Sequence, residues 1–457
     1  MNKTVVLNVV GLTKRLIGEH TPFIKSFLVK GDSALITPVL PAVTCTSQTT
    51  YLTGKWPTEH GIVGNGWYFK DECEVKFWRQ SNKLIKSDKL WDEMKQLDGN
   101  FSCANLFWWY NMYSTVDFSV TPRPNYLADG RKIPDIYSHP PELRDHLQNK
   151  LGTFPLFNFW GPKTSVKSSQ WIADAAINTD KLYDPTLTLV YLPHLDYNLQ
   201  RHGIDFPKIS KDLKEIDEVV KKLVNYYDKG NTNIALLSEY GITNVNNPIH
   251  INRILRSEGL ISIREERGLE LLDAGASKAF AVADHQIAHI YLNDPGTKKK
   301  VKKLLEGIDG IEKVLSTSEL EETNLNHDRC GDLVLIAEKN SWFTYYFWID
   351  DAKAPDYARM VDIHKKPGYD PVEMFTDPDD KFVMPKVILK LLKKKLGFRT
   401  VMNIIPLNAD LVKGSHGRIP EDVSDYPIFI TNNRRLLNQE LYKSTEVYEL
   451  LAKQLTG

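Results

Sequence analysis

Cysteine is scarce in this chain, and neither sign of charge dominates it. Of 457 residues only four are Cys, and no two of them form a CxxC pair. Lysine and arginine together number 58, as do aspartate and glutamate, so the formal net charge is zero. These features exclude a disulfide scaffold and disfavour a nucleic-acid polymer as partner, whereas a globular enzyme with a small anionic substrate remains compatible with them.

Long apolar segments are missing as well. The sequence has no run of about 18 apolar residues, so no membrane-spanning helix is expected. The first residues, MNKTVVLNVV, contain one lysine and a short β-branched run, without the longer apolar core and cleavage site of a signal peptide. We therefore expect a buried first strand and a cytoplasmic location. No pattern in the sequence indicates an oligomeric state.

Short apolar runs rich in β-branched residues recur along the chain and are separated by helical patterns. The runs at 4–10, 186–192, 233–238 and 287–292 are typical of strands buried on both faces of a largely parallel sheet. Residues 209–228 have the apolar spacing of an amphipathic helix. This alternation predicts a doubly wound α/β core with ligands at the carboxyl ends of the strands.

Reactive side chains collect in loops, several of them directly after these predicted strands. The candidates are Thr44 in VTCTSQTTYLTG, Asp196 and Gln200 in PHLDYNLQRHG, Glu239 and Tyr240 in SEYG, and His416 in KGSHGR. A hydroxyl is a poor nucleophile unless a metal or a base lowers its pKa. Carboxylates and a histidine from separate strand ends could bind that metal.

The order of these motifs resembles the alkaline phosphatase superfamily, in its nucleotide pyrophosphatase/phosphodiesterase branch. That branch has a strand ending in Asp-Gly, a Thr nucleophile, the segment TG-x-x-P-x-x-HG-I-x-x-N, Asp-x-x-x-His, Ser-Asp-His-Gly and a late His-Gly. This chain has VVGL at 9–12, Thr44, TGKWPTEHGIVGN at 53–65, Asp196, SEYG at 238–241 and SHG at 415–417. The resemblance implies a mostly parallel α/β core at 1–245 and 406–457, with a smaller inserted α+β cap and connecting segments at 246–405.

The resemblance also implies roles for particular residues. Thr44 is expected to be the nucleophile that is transiently phosphorylated, and Asn65 to hydrogen-bond a phosphoryl oxygen. Asp196 and His416 match metal ligands. The expected cofactor is one or two divalent ions, with zinc first and manganese or iron as the other candidates. The expected reaction is hydrolysis of a phosphate ester or a pyrophosphate linkage in a small substrate.

Four ligand positions of the family carry other residues here. Val10 replaces the first Asp, Gln200 replaces the His after Asp196, and Glu239-Tyr240 replaces Asp-His. Glu239 and Gln200 stay candidate oxygen ligands. Three interpretations remain open: one metal with an active Thr44, a site rebuilt from other ligands, or a catalytically impaired member that binds a phosphorylated or lipid-linked metabolite. The candidates for rebuilding are His194, His202, Asp284, His285, His289, Asp362 and His364.

Two more segments have two interpretations each. The aromatic segment 101–113 is either packed core or a wall that contacts substrate through Trp108, Trp109 and Tyr110, with Tyr240 as a further contact. The basic amphipathic segment 385–399 is either a solvated surface helix or a peripheral membrane contact. Its basic residues are Lys386, Lys390, Lys393, Lys394, Lys395 and Arg399.

Overall fold

A nine-stranded sheet forms the centre of the computed structural model, which describes residues 1–457 apart from the side chain of Lys394. Across the sheet the strands follow in the order Leu441–Lys443, Asp32–Thr37, Ile428–Thr431, Asn233–Leu237, Thr4–Val9, Leu187–Leu192, Cys103–Leu106, Phe118–Pro122 and Ile136–His139. The five strands from Asn233–Leu237 to Phe118–Pro122 are all parallel. The predicted mostly parallel sheet is therefore confirmed.

The register of the central strands determines where the functional loops lie. Thr4 pairs with Leu187 on one side and with Asn233 on the other, so these three strands begin and end nearly level. The segments after Val9 and Leu192 consequently leave the same edge of the sheet. Helices cover both faces and bury the β-branched runs. The long helices are Pro22–Lys30, Thr44–Thr53, Leu90–Leu97, Pro141–Leu151, Lys167–Tyr183, His194–His202, Phe206–Tyr227 and Val447–Thr456.

A second, four-stranded sheet is antiparallel. Its strands follow in the order Ala279–Asp284, Ile287–Leu292, Leu333–Ala337 and Ile311–Leu315, beside the helices Ile251–Ser257, Lys298–Leu305 and Thr317–Glu322. The predicted strand at 287–292 exists, but its assignment to the parallel sheet is wrong. An apolar run indicates burial on both faces and does not say which sheet the strand joins. The domain boundaries at 245 and 405 stay a prediction.

Small elements lie outside these two sheets. They are the short helices Pro57–His60 and Leu156–Phe159, and the strand pairs Gly66–Phe69 with Glu74–Phe77, Asn125–Tyr126 with Lys132–Ile133, Thr243–Asn244 with Gly414–Ser415, Asn247–Ile249 with Ser341–Phe343, and Ser262–Glu266 with Leu269–Asp273. The predicted basic helix is present as Val383–Lys395. Among the described residues, no helix combines the length and the apolar character needed to cross a membrane.

Candidate active site

Thr44 is the first residue of the buried helix Thr44–Thr53. Val43 before it is extended, and Gly54 after it has a left-handed φ of 65° that ends the helix. The hydroxyls of Thr49, Thr50 and Thr53 donate to the carbonyls four residues earlier. Three hydroxyls of the Thr-rich segment are thus engaged inside the helix. Thr44 lies at the N-terminus instead, where free backbone N–H groups and the helix dipole favour an anion.

A chain of hydrogen bonds connects Thr44 to the carboxylate of Asp196. The Tyr240 hydroxyl donates to Asp196 Oδ1 at 3.2 Å and lies 3.2 Å from Thr44 Oγ1. Because Tyr240 has one proton and gives it to Asp196, the Thr44 hydroxyl is the donor in its bond to Tyr240. Gln200 Nε2 donates to Asp196 Oδ2 at 2.9 Å, and Gln200 Oε1 accepts from the hydroxyl of Tyr369 at 2.9 Å. Both ends of the Gln200 amide are therefore occupied.

Glu239 lies fully buried next to this chain. Its Oε1 accepts from Gln48 Nε2 at 2.5 Å and from Asn8 Nδ2, while its Oε2 has no hydrogen-bond partner. Burial raises the pKa of Glu239 to about 8. This shift favours the protonated carboxyl near neutral pH, and a protonated carboxyl can donate from its second oxygen.

Four rings stack into a continuous column beside Thr44. Tyr240 lies on His416 with ring centroids 3.6 Å apart, His416 on His285 at 3.8 Å, and His285 on Tyr369 at 3.7 Å. His416 Nδ1 lies 2.7 Å from the Ala42 carbonyl, which makes Nδ1 the protonated nitrogen. Its Nε2 is buried without a hydrogen-bond partner, 4.0 Å from Asp196 Oδ1. Burial keeps the pKa of His416 well below its usual value, so Nε2 is a neutral acceptor.

Asn65 is held across the start of the same helix. Its Oδ1 accepts from the backbone N–H of Cys45 at 3.0 Å, and its Nδ2 donates to Asp284 Oδ1 at 3.1 Å. Asp284 Oδ2 also accepts from the backbone N–H of Asn65 at 2.8 Å. His60, in the same motif, is buried and bonds Thr50 Oγ1 through Nε2, so it braces the loop against the helix. The motif residues therefore position Asn65 and Thr44 together.

The side chains present do not fit a two-ion metal centre. Val10 offers no ligand atom, and the oxygen of Gln200 accepts from Tyr369. Among the described residues, one group of three His, Cys, Asp or Glu side chains has ligand atoms close enough to share an ion. It consists of His194, Asp212 and Glu215, and it includes neither Asp196 nor His416. Asp196 and His416 remain as a pair, and the partnerless Nε2 of His416 fits one ion between them.

Most candidates for a rebuilt metal site have structural partners. His194 Nε2 lies 3.3 Å from Asp212 and 3.2 Å from Glu215 on the next helix. His289 has both ring nitrogens engaged, with the Val63 carbonyl and the Gly331 N–H. His364 lies 3.5 Å from the Phe77 carbonyl, Asp362 donates its backbone N–H to Glu373, and His202 lies at the end of its helix, partly exposed. Only Asp284 and His285 come to the Thr44 site.

The aromatic segment lies mostly in the core. Trp108 and Tyr110 are fully buried, at 0% and 1% exposure. Trp109, at 7%, donates its backbone N–H to Gln48 Oε1 at 2.6 Å and packs edge-to-face on Trp78. Gln48 also donates to Glu239, so its side chain links Trp109 to Glu239. Substrate contact by these three residues and by Tyr240 stays a prediction.

Three residues of the site were not predicted from the sequence. Asn8 lies inside a buried strand, Gln48 lies one turn after Thr44, and Tyr369 lies in an irregular segment. Gln48 could have been found from its four-residue spacing, which places it on the same helix face as Thr44. Asn8 and Tyr369 reach Glu239 and Gln200 only through the tertiary fold.

The chain matches a known protein family over most of its length. Residues 4–370 match the sequence profile of the type I phosphodiesterase / nucleotide pyrophosphatase family. Similar curated proteins include ectonucleotide pyrophosphatase/phosphodiesterase 2 of Saccharomyces cerevisiae, 23% identical over 53% of this chain and 48% of its own length. An uncharacterized pyrophosphatase/phosphodiesterase of Schizosaccharomyces pombe is 23% identical over 56% of this chain and 44% of its own. The chain therefore spans about half the length of the curated relatives it matches.

Solved structures resemble the fold over the whole chain. Murine ectonucleotide pyrophosphatase/phosphodiesterase 5, as an inactive threonine-to-alanine variant in complex with AMP, aligns with a TM-score of 0.62 at 15% identity, covering 100% of this chain and 95% of that one. Phosphonoacetate hydrolase of Sinorhizobium meliloti, in complex with phosphonoformate, aligns with a TM-score of 0.63 at 13% identity, covering 100% and 96%. At these identities the likeness establishes the fold, and the expected α/β architecture is confirmed.

Proposed function

The chain belongs to the type I phosphodiesterase / nucleotide pyrophosphatase family, and from this premise we propose that it hydrolyses a phosphate ester or pyrophosphate linkage of a small nucleotide-like substrate through a phosphorylated Thr44. The observation that carries the proposal is the hydroxyl of Thr44 at a helix N-terminus, donating to Tyr240, which in turn donates to Asp196. The AMP complex of the murine relative supports a nucleotide-like substrate.

Each residue then has a role that follows from its contacts. Thr44 Oγ1 forms the bond to phosphorus while the bond to the leaving oxygen breaks, and the Thr44 proton passes to Tyr240 as Tyr240 passes its own proton to Asp196 along the existing hydrogen bonds. Asn65 Nδ2 has a second N–H besides the one given to Asp284, and this N–H stabilises a phosphoryl oxygen together with the helix N-terminus. Water then cleaves the phosphate from Thr44 and restores the hydroxyl.

The family depends on a divalent metal, and we propose one ion here, zinc before manganese or iron. Asp196 Oδ1 and His416 Nε2 would hold it, because they are an oxygen and a nitrogen ligand on facing side chains and Nε2 has no hydrogen-bond partner. When bound, the ion supplies positive charge to the transferring phosphoryl group. Elemental analysis of purified protein is expected to find about one ion per chain, and replacement His416→Ala is expected to remove it.

The main test is hydrolysis of a nitrophenyl phosphodiester and of nucleotide pyrophosphate substrates. Replacement Thr44→Val keeps the volume of the side chain and removes the hydroxyl, so turnover is expected to fall by at least about 10³-fold. Replacement Thr44→Ser keeps the hydroxyl and is expected to retain activity. Rapid quenching and mass spectrometry of the wild type are expected to find phosphate on Thr44.

A matched control lies on the same helix. Thr46 is fully buried two residues further on, and its hydroxyl has no hydrogen-bond partner. Replacement Thr46→Val is therefore expected to leave turnover within about twofold of the wild type. Equal turnover of the wild type and Thr44→Val would contradict the proposal.

A second candidate function is binding without hydrolysis. The observation that favours it is the loss of ligand atoms at Val10 and Gln200, which leaves the site poor in metal ligands. In that case the protein holds a phosphorylated or lipid-linked metabolite at the Thr44 site. Metal-free protein that binds AMP by calorimetry, with unchanged affinity in Thr44→Val and no turnover, would favour this candidate.

A cytoplasmic location is the remaining part of the proposal. Four cysteines are unpaired, and one of them, Cys73, is exposed. Free thiols persist in a reducing compartment, which supports this location. Fractionation of cells that express the tagged protein tests it, and recovery outside the cytoplasm would overturn it.

A further inference from the structure

The helix Val383–Lys395 presents apolar side chains to solvent. Nine large apolar residues between 382 and 401 are exposed by 47% to 74%; they are Phe382, Met384, Ile388, Leu389, Leu391, Leu392, Leu396, Phe398 and Val401. Among the described side chains of the helix, only Val387 is buried. Residues 382–401 thus form one exposed segment, called the 382–401 surface below. So many exposed large apolar side chains in one segment are unusual for a soluble protein and indicate an interaction site.

The orientation of this helix is the reverse of the usual one. At about 100° per residue, Leu389, Leu392 and Leu396 lie about 140° to 200° away from the buried Val387. An amphipathic helix ordinarily buries its apolar face against the protein core. Here the leucine face points outward, so packing within this chain does not explain the apolar side chains.

The charge of the segment indicates which kind of partner it binds. Residues 381–401 contain seven lysines and arginines and no aspartate or glutamate, in a chain whose net charge is zero. Lys386 pairs with Asp380 at 2.6 Å, whereas Lys393 and Lys395 form no ion pair within the described residues. A symmetric contact with a second copy would bring two such basic segments together, and the repulsion disfavours it. An anionic lipid surface accepts both the leucines and the lysines.

A neighbouring hairpin extends the surface. Arg399 donates through its guanidinium to the carbonyls of Ala128 and Asp129, at 3.0 and 3.2 Å. Beside this loop, Tyr126, Leu127 and Ile133 are exposed by 56%, 38% and 39%. Two separate parts of the chain therefore contribute apolar side chains to one area.

We propose that the 382–401 surface docks the protein on an anionic lipid membrane, with the leucine face in the acyl boundary and the lysines at the headgroups. The helix lies in the plane of the interface and does not cross the bilayer. This docking is independent of the chemistry at Thr44, so a Thr44→Val variant is expected to bind vesicles as the wild type does.

Co-sedimentation with phosphatidylcholine vesicles, with and without phosphatidylglycerol, tests the proposal on the full chain. The wild type is expected to bind the anionic vesicles and to dissociate at high salt. Replacement of Lys393 and Lys395 together by Gln is expected to weaken binding by about tenfold to thirtyfold. Replacement of Leu392 and Leu396 together by Ser is expected to weaken it by at least about tenfold.

Matched controls lie on other exposed helices. The pair Lys211→Gln with Lys221→Gln removes exposed lysines from Phe206–Tyr227, and the pair Leu97→Ser with Leu182→Ser removes exposed leucines. Both controls are expected to bind vesicles as the wild type does. Equal binding to neutral and anionic vesicles, or binding unchanged by the 382–401 variants, would overturn the proposal. A wild-type dimer that becomes monomeric in the Leu392/Leu396 variant, without vesicle binding, would assign the surface to a second copy instead.

Discussion

The contacts of single side chains explain how this site differs from the family pattern. Where a metal-ligand histidine is expected, Gln200 uses both ends of its amide to hold Asp196 and Tyr369. Where another histidine is expected, Tyr240 bridges Thr44 and Asp196. In both cases the hydrogen bonds of the substituted side chain keep the neighbouring groups in place. The role of Tyr240 can be tested alone.

Replacement Tyr240→Phe keeps the ring that stacks on His416 and removes the hydroxyl. Because the Thr44 proton then has no acceptor at 3.2 Å, turnover is expected to fall by about 10²-fold with little change in KM. Steady-state kinetics measures this effect. The control is Tyr369→Phe, which removes a hydroxyl that contacts Gln200 and not Thr44. Its turnover is expected to fall by less than about tenfold. Full activity in Tyr240→Phe would exclude the hydrogen-bond chain from catalysis.

At the scale of elements, the helix Thr44–Thr53 depends on how its ends are formed. Thr44 lies where the helix begins, the position at which backbone N–H groups favour an anion, and Gly54 fixes where the helix ends. The φ of Gly54 is 65°, and a Cβ at this position would lie 3.0 Å from Tyr448 Cγ. The helix is thereby packed against the C-terminal helix Val447–Thr456.

Replacement Gly54→Ala is expected to lower the free energy of unfolding by about 1–2 kcal/mol. The left-handed φ costs an L-residue about 1 kcal/mol, and the contact with Tyr448 adds to it. Urea denaturation followed by circular dichroism measures the change. Gly99→Ala is the control, because nothing lies within 4 Å of its Cβ position, and a change within about 0.5 kcal/mol is expected. A neutral Gly54→Ala variant would show that the helix end adapts.

At the scale of the whole molecule, distant parts of the chain complete the site together. The turn between the strands Ala279–Asp284 and Ile287–Leu292 brings His285 into the ring column, and Gln286 N–H donates to the His416 carbonyl at 2.8 Å. The second sheet thus contributes to the site built on the first. Buried histidines occur in both parts as well.

Acid is expected to destabilise the whole molecule through these histidines. Burial lowers the pKa of His60 to about 3 and that of His250 and His289 to about 4. Their neutral forms stabilise the folded state above about pH 6.5, and this contribution is lost as pH falls from 6.5 through the folded pKa values, because only the unfolded state binds the protons. Burial raises the pKa of Glu239 to about 8, so the folded state takes up this proton before the unfolded state does. Glu239 therefore increases the stability of the folded state as pH falls from about 8 to 4.5, opposite to the histidines.

The variant His60→Gln isolates one of these contributions. As pH falls from about 6 to 4, the free energy of unfolding of the variant is expected to decrease less steeply than that of the wild type. The two slopes are expected to differ by about 1.4 kcal/mol per pH unit, the contribution of one proton. Urea titrations at a series of pH values provide the slopes. His146→Gln, at an exposed position, is the control and is expected to keep the wild-type slope. Identical slopes for His60→Gln and the wild type would contradict the assignment.

The sequence by itself determined the local features. Apolar runs predicted the strands at 4–10, 186–192 and 233–238, and the motif TGKWPTEHGIVGN selected Thr44 and Asn65 among many hydroxyl and amide side chains. Strand and helix periodicity and turn residues act between near neighbours in the chain. These local features can therefore be recognised without knowing how the helices and strands pack on one another.

Only the tertiary structure decided which distant side chains meet and which faces remain exposed. Asn8 bonds Glu239 across 231 positions of sequence, and Tyr369 bonds Gln200 across 169. The leucine stripe of 385–399 was visible in the sequence, but its outward direction was not. The physical reason is that sheet register and the packing of elements set these contacts, and both depend on the whole chain at once.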